Sequence, residues 1–131
     1  MIARWIAIVC VLAPGSARQP SDQTVRDGVY NAEQAKRGQT VYDTKCAACH
    51  DGGTMGPELW GDAFLTDWDQ KTVGAFFTRI KDTMPEDAPG TLSDNDVLDV
   101  VAYVLQANGF PAGEKPMGGA SALATVKFVR K

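Results

Sequence analysis

Cys46-Ala47-Ala48-Cys49-His50 constrains this chain more than any other segment. On a helix, residues three apart share a face. Both sulfurs can therefore reach one edge of a porphyrin, and the imidazole that follows can turn toward its iron. The pattern is that of covalent haem attachment. The chain has three cysteines and a single histidine. Cys10 falls in a segment expected to be removed, which leaves both mature thiols in the motif. A structural zinc site needs four ligands in closed geometry, and the chain offers no second pair. A thioredoxin-like redox pair needs an adjacent βαβ pattern, and none is present. A plain disulfide would leave His50 without a purpose.

The length of 131 residues predicts one domain. Residues 1–17 read as a secretory signal peptide. Arg4 supplies the positive start, Trp5 to Ala13 the apolar run, and Gly15-Ser16-Ala17 the small residues before a cut. That run is too short to span a bilayer of roughly 30 Å, so no stable membrane insertion is expected. Export predicts a periplasmic location. Residues 18–27 read as a flexible segment, 28–111 as the domain, and 112–131 as a tail that either lies on the domain or hangs free. A core this small is marginal alone, and a haem would add a large apolar surface for the chain to wrap.

The net charge of −3 and the absence of a basic stripe exclude nucleic-acid binding. Acids concentrate in one stretch: Asp82, Glu86, Asp87, Asp94, Asp96 and Asp99, with no Lys or Arg between 82 and 99. The tail is basic, with Lys115, Lys127, Arg130 and Lys131 against Glu114. The acids can steer a basic partner, or simply form a solvated loop with favourable charges at a helix start. Lys45 and Lys81 read as docking charges or as solvated surface.

Local signals predict an all-α fold. Asn31 is a candidate N-cap, with Gln34 as its capping-box partner, and opens a helix to about Asp43. Residues 51–62, rich in Gly and Pro, predict an irregular loop. Thr72 opens a helix over about 73–82, with Phe76, Phe77 and Ile80 on its apolar face. Ser93 with Asp96 opens a third, where Val97, Val100, Val101, Val104 and Leu105 repeat at helical spacing. Gly109 and Pro111 end it. Residues 120–129 suit a short helix or a strand.

A haem iron held by one histidine can leave its sixth position open or fill it. The candidates are Met55, Met84 and Met117. Pro85 biases Met84 away from helical geometry, so its side chain can hang from a loop on the far side of the ring. Met55 lies too soon after His50 to round the macrocycle easily, and Met117 sits in a Gly-rich stretch. Any of the three can instead be core filling.

These residues resemble class I cytochromes c over about Gly28 to Gly113. The likeness rests on Cys46-Ala-Ala-Cys49-His50, Gly56-Pro57-Glu58-Leu59, Met84-Pro85 and the segment Asp99-Val-Val-Ala-Tyr103-Val-Leu. It implies a cytochrome c fold, with N- and C-terminal helices crossing and the chain wrapped around one covalent haem c (heme c). It places Gly38, Tyr42 and Tyr103 at the crossing, and gives the Pro57 carbonyl the task of orienting His50. It implies haem binding by Cys46, Cys49, His50 and Met84, with His50 and Met84 on the iron. Trp60 and Trp68 either line the haem or pack in the core. Asp27-Gly-Val-Tyr-Asn-Ala-Glu-Gln-Ala-Lys-Arg-Gly and Met84-Pro-Glu-Asp-Ala-Pro-Gly-Thr-Leu-Ser-Asp are also similar to monohaem cytochromes that accompany quinoprotein (PQQ-dependent) alcohol dehydrogenases.

The expected function is a soluble one-electron carrier and not an enzyme. It would take electrons from a dehydrogenase and pass them to a terminal acceptor, with a quinoprotein alcohol dehydrogenase and a terminal oxidase as redox partners. The alternatives are a haem-bearing subunit of a dehydrogenase or oxidase complex, or a haem enzyme or gas sensor with an open sixth position.

Overall fold

The computed structural model describes residues 23–130. The signal-peptide reading and Cys10 therefore lie outside the described residues. The described residues form six α-helices in order: α1 (Ala32–Lys45), α2 (Ala47–His50), α3 (Gly61–Trp68), α4 (Val73–Thr83), α5 (Asp94–Ala107) and α6 (Ala120–Leu123). Among the described residues there is no strand, only isolated bridges. The fold is the all-α cytochrome c arrangement that the sequence implies.

The three long helices start where local chemistry directs. The side chains of Asn31, Thr72 and Ser93 accept from the backbone N–H of Gln34 (2.9 Å), Ala75 (3.1 Å) and Asp96 (3.1 Å). Each satisfies one donor left unpaired at a helix start. The box at α1 is only half made, because the Gln34 side chain accepts instead from the Met117 N–H at 2.8 Å. At the end of α5, Gly109 has φ +75°. The Gly109 N–H donates to the Gln106 carbonyl (2.8 Å) and the Phe110 N–H to the Leu105 carbonyl (3.1 Å). That pair of bonds is a Schellman closure.

Helices α1 and α5 form the principal packed pair. Gly38 makes their approach possible. A Cβ built there would lie 1.8 Å from the Asp99 carbonyl oxygen and 3.0 Å from the Tyr103 Cβ. Beside this contact, the Tyr42 and Tyr103 rings meet at 5.2 Å. Arg37 holds Asp99 through two hydrogen bonds, Nε to Oδ2 (2.9 Å) and Nη2 to Oδ1 (3.0 Å). Bidentate geometry of this kind fixes orientation as well as contact.

Two parts of the fold differ from the expectation. Helix α3 stands where no helix was anticipated. Trp60, at its N-cap, makes no side-chain capping bond. The Gly61 N–H is instead taken by the Asn108 side chain at 3.1 Å, so no local cap announces the helix. The core also extends beyond 28–111. Val25, Met117, Leu123, Val126 and Phe128 are all buried in it. The Val25 N–H donates to the Lys127 carbonyl and the Lys127 N–H to the Gln23 carbonyl, both at 3.0 Å. The Val73 N–H donates to the Val126 carbonyl (2.8 Å) and the Phe128 N–H to the Lys71 carbonyl (2.9 Å). The tail thus lies on the domain, as a short helix followed by an extended segment. Phe128 enters an edge-on cluster with Phe64 (5.8 Å) and Phe76 (5.7 Å), a favourable arrangement of ring quadrupoles.

Candidate haem site

The site begins where α1 ends. The Cys46 N–H still donates to the Tyr42 carbonyl at 2.8 Å, and the N–H groups of Cys49 and His50 both return to the Cys46 carbonyl. The motif is therefore wound as the single turn α2, directly continuing α1. Cys46 and Cys49 are partly buried, and both thiols are free. Burial, with a smaller contribution from Cys49, pushes the Cys46 thiol up to about 11. It stays neutral near pH 7 in the folded chain. Among the described residues, no group of three or more His, Cys, Asp or Glu can hold a metal ion. The zinc and thioredoxin-like readings therefore have no support in the geometry.

His50 is 9% exposed. Its Nδ1 lies 2.6 Å from the Pro57 carbonyl oxygen. A carbonyl only accepts, so Nδ1 carries the proton and Nε2 keeps its lone pair for a metal. The Pro57 role implied by the family resemblance has its geometry here. The Gly56 N–H donates to the Cys49 carbonyl at 2.9 Å. A Cβ on Gly56 would come within 2.9 Å of the His50 Cε1 and 3.0 Å of Nδ1. The missing side chain leaves room for the imidazole. The Tyr42 hydroxyl donates to the Asp51 carboxylate at 2.7 Å and ties α1 to the end of the motif. Burial and that hydrogen bond both raise the phenol well above its usual range.

These residues fit a covalent haem: two free thiols on one helical turn, then a buried imidazole with a lone pair at Nε2. Met84 caps α4 in extended geometry (φ −120°, ψ 152°) and is partly buried against the core. Met55 is 75% exposed and Met117 is buried in the core. Trp68 packs on Phe76 at 4.7 Å, and Trp60 leans on Tyr42 at 5.4 Å. Lys81 is not a free docking charge. Its Nζ donates to the Leu92 carbonyl (2.6 Å) and pairs with Asp94 (3.0 Å). Lys45 is exposed.

Sequence reasoning passed over Asn108. It is 5% exposed and reaches Leu59, Gly61 and Val104. An Asn directly before a C′ glycine was the one available sign.

The model of the family described as cytochrome C oxidase, cbb3-type, subunit III matches residues 33–104, from α1 through most of α5. The chain belongs to this family of c-type cytochromes. Its cofactor is a covalently bound haem with iron, and its chemistry is electron transfer. Two relatives are named thiosulfate dehydrogenase. The one from Stutzerimonas stutzeri (strain A1501) is 33% identical over 78 residues, which is 52% of this chain and 25% of that protein. The one from Allochromatium vinosum (strain ATCC 17899) is 32% identical over 92 residues, or 62% and 34%. The cytochrome spans about a quarter to a third of the length of these relatives. No solved structure matches it. The expectation that the chain is not an enzyme is overturned, because the relatives carry the name of an enzyme. Among the described residues of the cytochrome, no helix is long and apolar enough to cross a membrane.

Proposed function

We propose that Cys46 and Cys49 hold the haem through two thioether bonds and that His50 Nε2 and Met84 bind its iron. The single observation that carries this reading is the His50 imidazole, fixed at Nδ1 by Pro57 beside two free thiols. When bound, the haem supplies an iron that alternates between Fe(III) and Fe(II). The chain orients the imidazole, and the Nδ1–H bond to Pro57 fixes its tautomer. Paired His and Met ligands favour a raised potential. We read the unit as a periplasmic carrier that takes one electron at a time from a dehydrogenase and passes it to a terminal acceptor. A redox titration tests this. A single one-electron wave supports it, and a multi-electron wave contradicts it.

Met84→Ala tests the sixth ligand. The potential should fall by an amount on the order of 100 mV, within the roughly 0.8 V that axial ligands span. The reduced variant should also bind carbon monoxide where the parent does not. An unchanged potential and spectrum would move the ligand elsewhere.

A second reading has the chain as the electron-transfer unit of a dehydrogenase. The names of the relatives favour it, and thiosulfate becomes the first substrate to try. The family resemblance suggests a quinoprotein alcohol dehydrogenase as donor instead. Reduction of the haem by thiosulfate alone would support the second reading. Reduction only through a separate donor supports the carrier.

Asp82, Glu86 and Asp87 are exposed around Met84, whereas Asp94 is already paired with Lys81. In the proposed carrier they steer a basic partner. The association rate should then fall on the order of tenfold between low salt and about 0.15 M. A rate independent of ionic strength would remove this role.

A further inference from the structure

We propose that Asn108 is a positioning residue for His50, acting through the segment that presents the Pro57 carbonyl. The inference rests on reading His50 as the iron ligand. The Asn108 amide is buried and makes three hydrogen bonds. Nδ2 donates to the Leu59 carbonyl (3.0 Å) and to the Val104 carbonyl (2.9 Å), and Oδ1 accepts from the Gly61 N–H (3.1 Å). Two of these cross from the end of α5 to the start of α3. They bracket Trp60 and pin the segment that begins at Gly56.

The other end of that segment is pinned too, by the Gly56 N–H on the Cys49 carbonyl at 2.9 Å. Pro57 sits between the two anchors, with its carbonyl 2.6 Å from His50 Nδ1. The anchors close a ring of contacts: α1 leads into the motif, the motif holds Gly56, the segment reaches Asn108, and α5 packs back on α1. A hydrogen bond this short weakens steeply once its acceptor drifts. Asn108 is the side chain that stops Leu59 and Gly61 from drifting.

Helix capping alone does not account for the residue. Gly109 and Phe110 already close α5 through the Gln106 and Leu105 carbonyls. Only the Val104 bond belongs to that closure. The bonds to Leu59 and Gly61 serve a segment 47 to 49 residues earlier in the chain.

The test uses the haem-loaded full chain and NMR hydrogen exchange of two protons, His50 Nδ1–H and Gly61 N–H. Asn108→Ala removes both cross-chain bonds. Asn108→Asp keeps the acceptor for Gly61 but sets a carboxylate against two carbonyls. Leu123→Ala, buried in α6 away from the segment, is the control for lost global stability. At matched distance from global unfolding, both Asn108 variants should exchange His50 Nδ1–H on the order of tenfold faster than the control, and Asn108→Ala should do the same for Gly61 N–H. Equal rates would overturn the proposal. If neither Asn108 variant folds, the parent protein still decides. His50 Nδ1–H and Gly61 N–H should exchange through one shared opening below global unfolding, and separate openings would overturn the proposal. The oxidised spectrum keeps the two failures apart. Absence of hyperfine-shifted His50 ring signals defeats the ligand reading itself, whereas shifted signals with unaltered exchange defeat only the role of Asn108.

Discussion

The Cys46→Ser, Cys49→Ser double variant is expected to be exported and to yield a chain that carries no covalent haem. A thioether needs sulfur, and a serine hydroxyl forms no such bond. His50 remains in the variant, so any haem still present would be held by the iron–imidazole bond alone and would leave in acidified organic solvent. The single variants keep one thioether each and should retain pigment through extraction. His50→Ala offers the complementary case, because both sulfurs remain. Its haem should stay attached while the spectrum and potential change. Extraction-resistant pigment in the double variant would place the attachment on other residues.

Gly38→Ala is expected to be the most damaging single methyl group that can be added to the helical frame. Alanine is the better helix former by up to about 1 kcal/mol, so propensity alone would stabilise α1. Packing opposes it more strongly. The new Cβ would sit 1.8 Å from the Asp99 carbonyl oxygen and 2.4 Å from the Asp99 carbonyl carbon. Both are backbone atoms of α5 and cannot rotate away. Helices α1 and α5 must separate, which loosens the Arg37–Asp99 pair and the Tyr42–Tyr103 contact. Overpacking of this kind costs about 1–3 kcal/mol, and backbone contact places Gly38 at the upper end. A net loss of about 2 kcal/mol lowers the melting temperature on the order of 10 °C. Gly38→Val should be worse. Thermal melts of the haem-loaded variants check this, and an alanine variant that melts at or above the parent temperature would contradict the close approach.

The long helices were legible because their signals are local. Asn31, Thr72 and Ser93 sit within one turn of the N–H groups they accept from, and Gly109 within one turn of the carbonyls it closes. Which helix crosses α1 was legible only through family resemblance. A glycine in a helix has several explanations, and the one that applies depends on a residue in α5. Helix α3 escaped because its first N–H is satisfied by Asn108 from far along the chain. The apolar spacing of Phe64, Leu65 and Trp68 was its weak signal. The tail's docking stayed one of two open alternatives for a related reason. Val126 and Phe128 alternate with the exposed Lys127 over too short a stretch to read, and their hydrogen bonds go to residues 71 and 73. At the site, the motif announced the thiols and the imidazole together. The anchor behind Pro57 did not announce itself, because an asparagine at a helix end resembles an ordinary cap.

The central claim is a haem fastened to this polypeptide at Cys46 and Cys49. The most direct measurement is a pyridine haemochrome spectrum of the mature, denatured chain, taken after extraction with acidified organic solvent. The expected result is pigment retained on the polypeptide, with the spectrum of a haem whose two vinyl groups have been saturated by thioether bonds. A colourless polypeptide, or pigment that departs with the solvent, would contradict it.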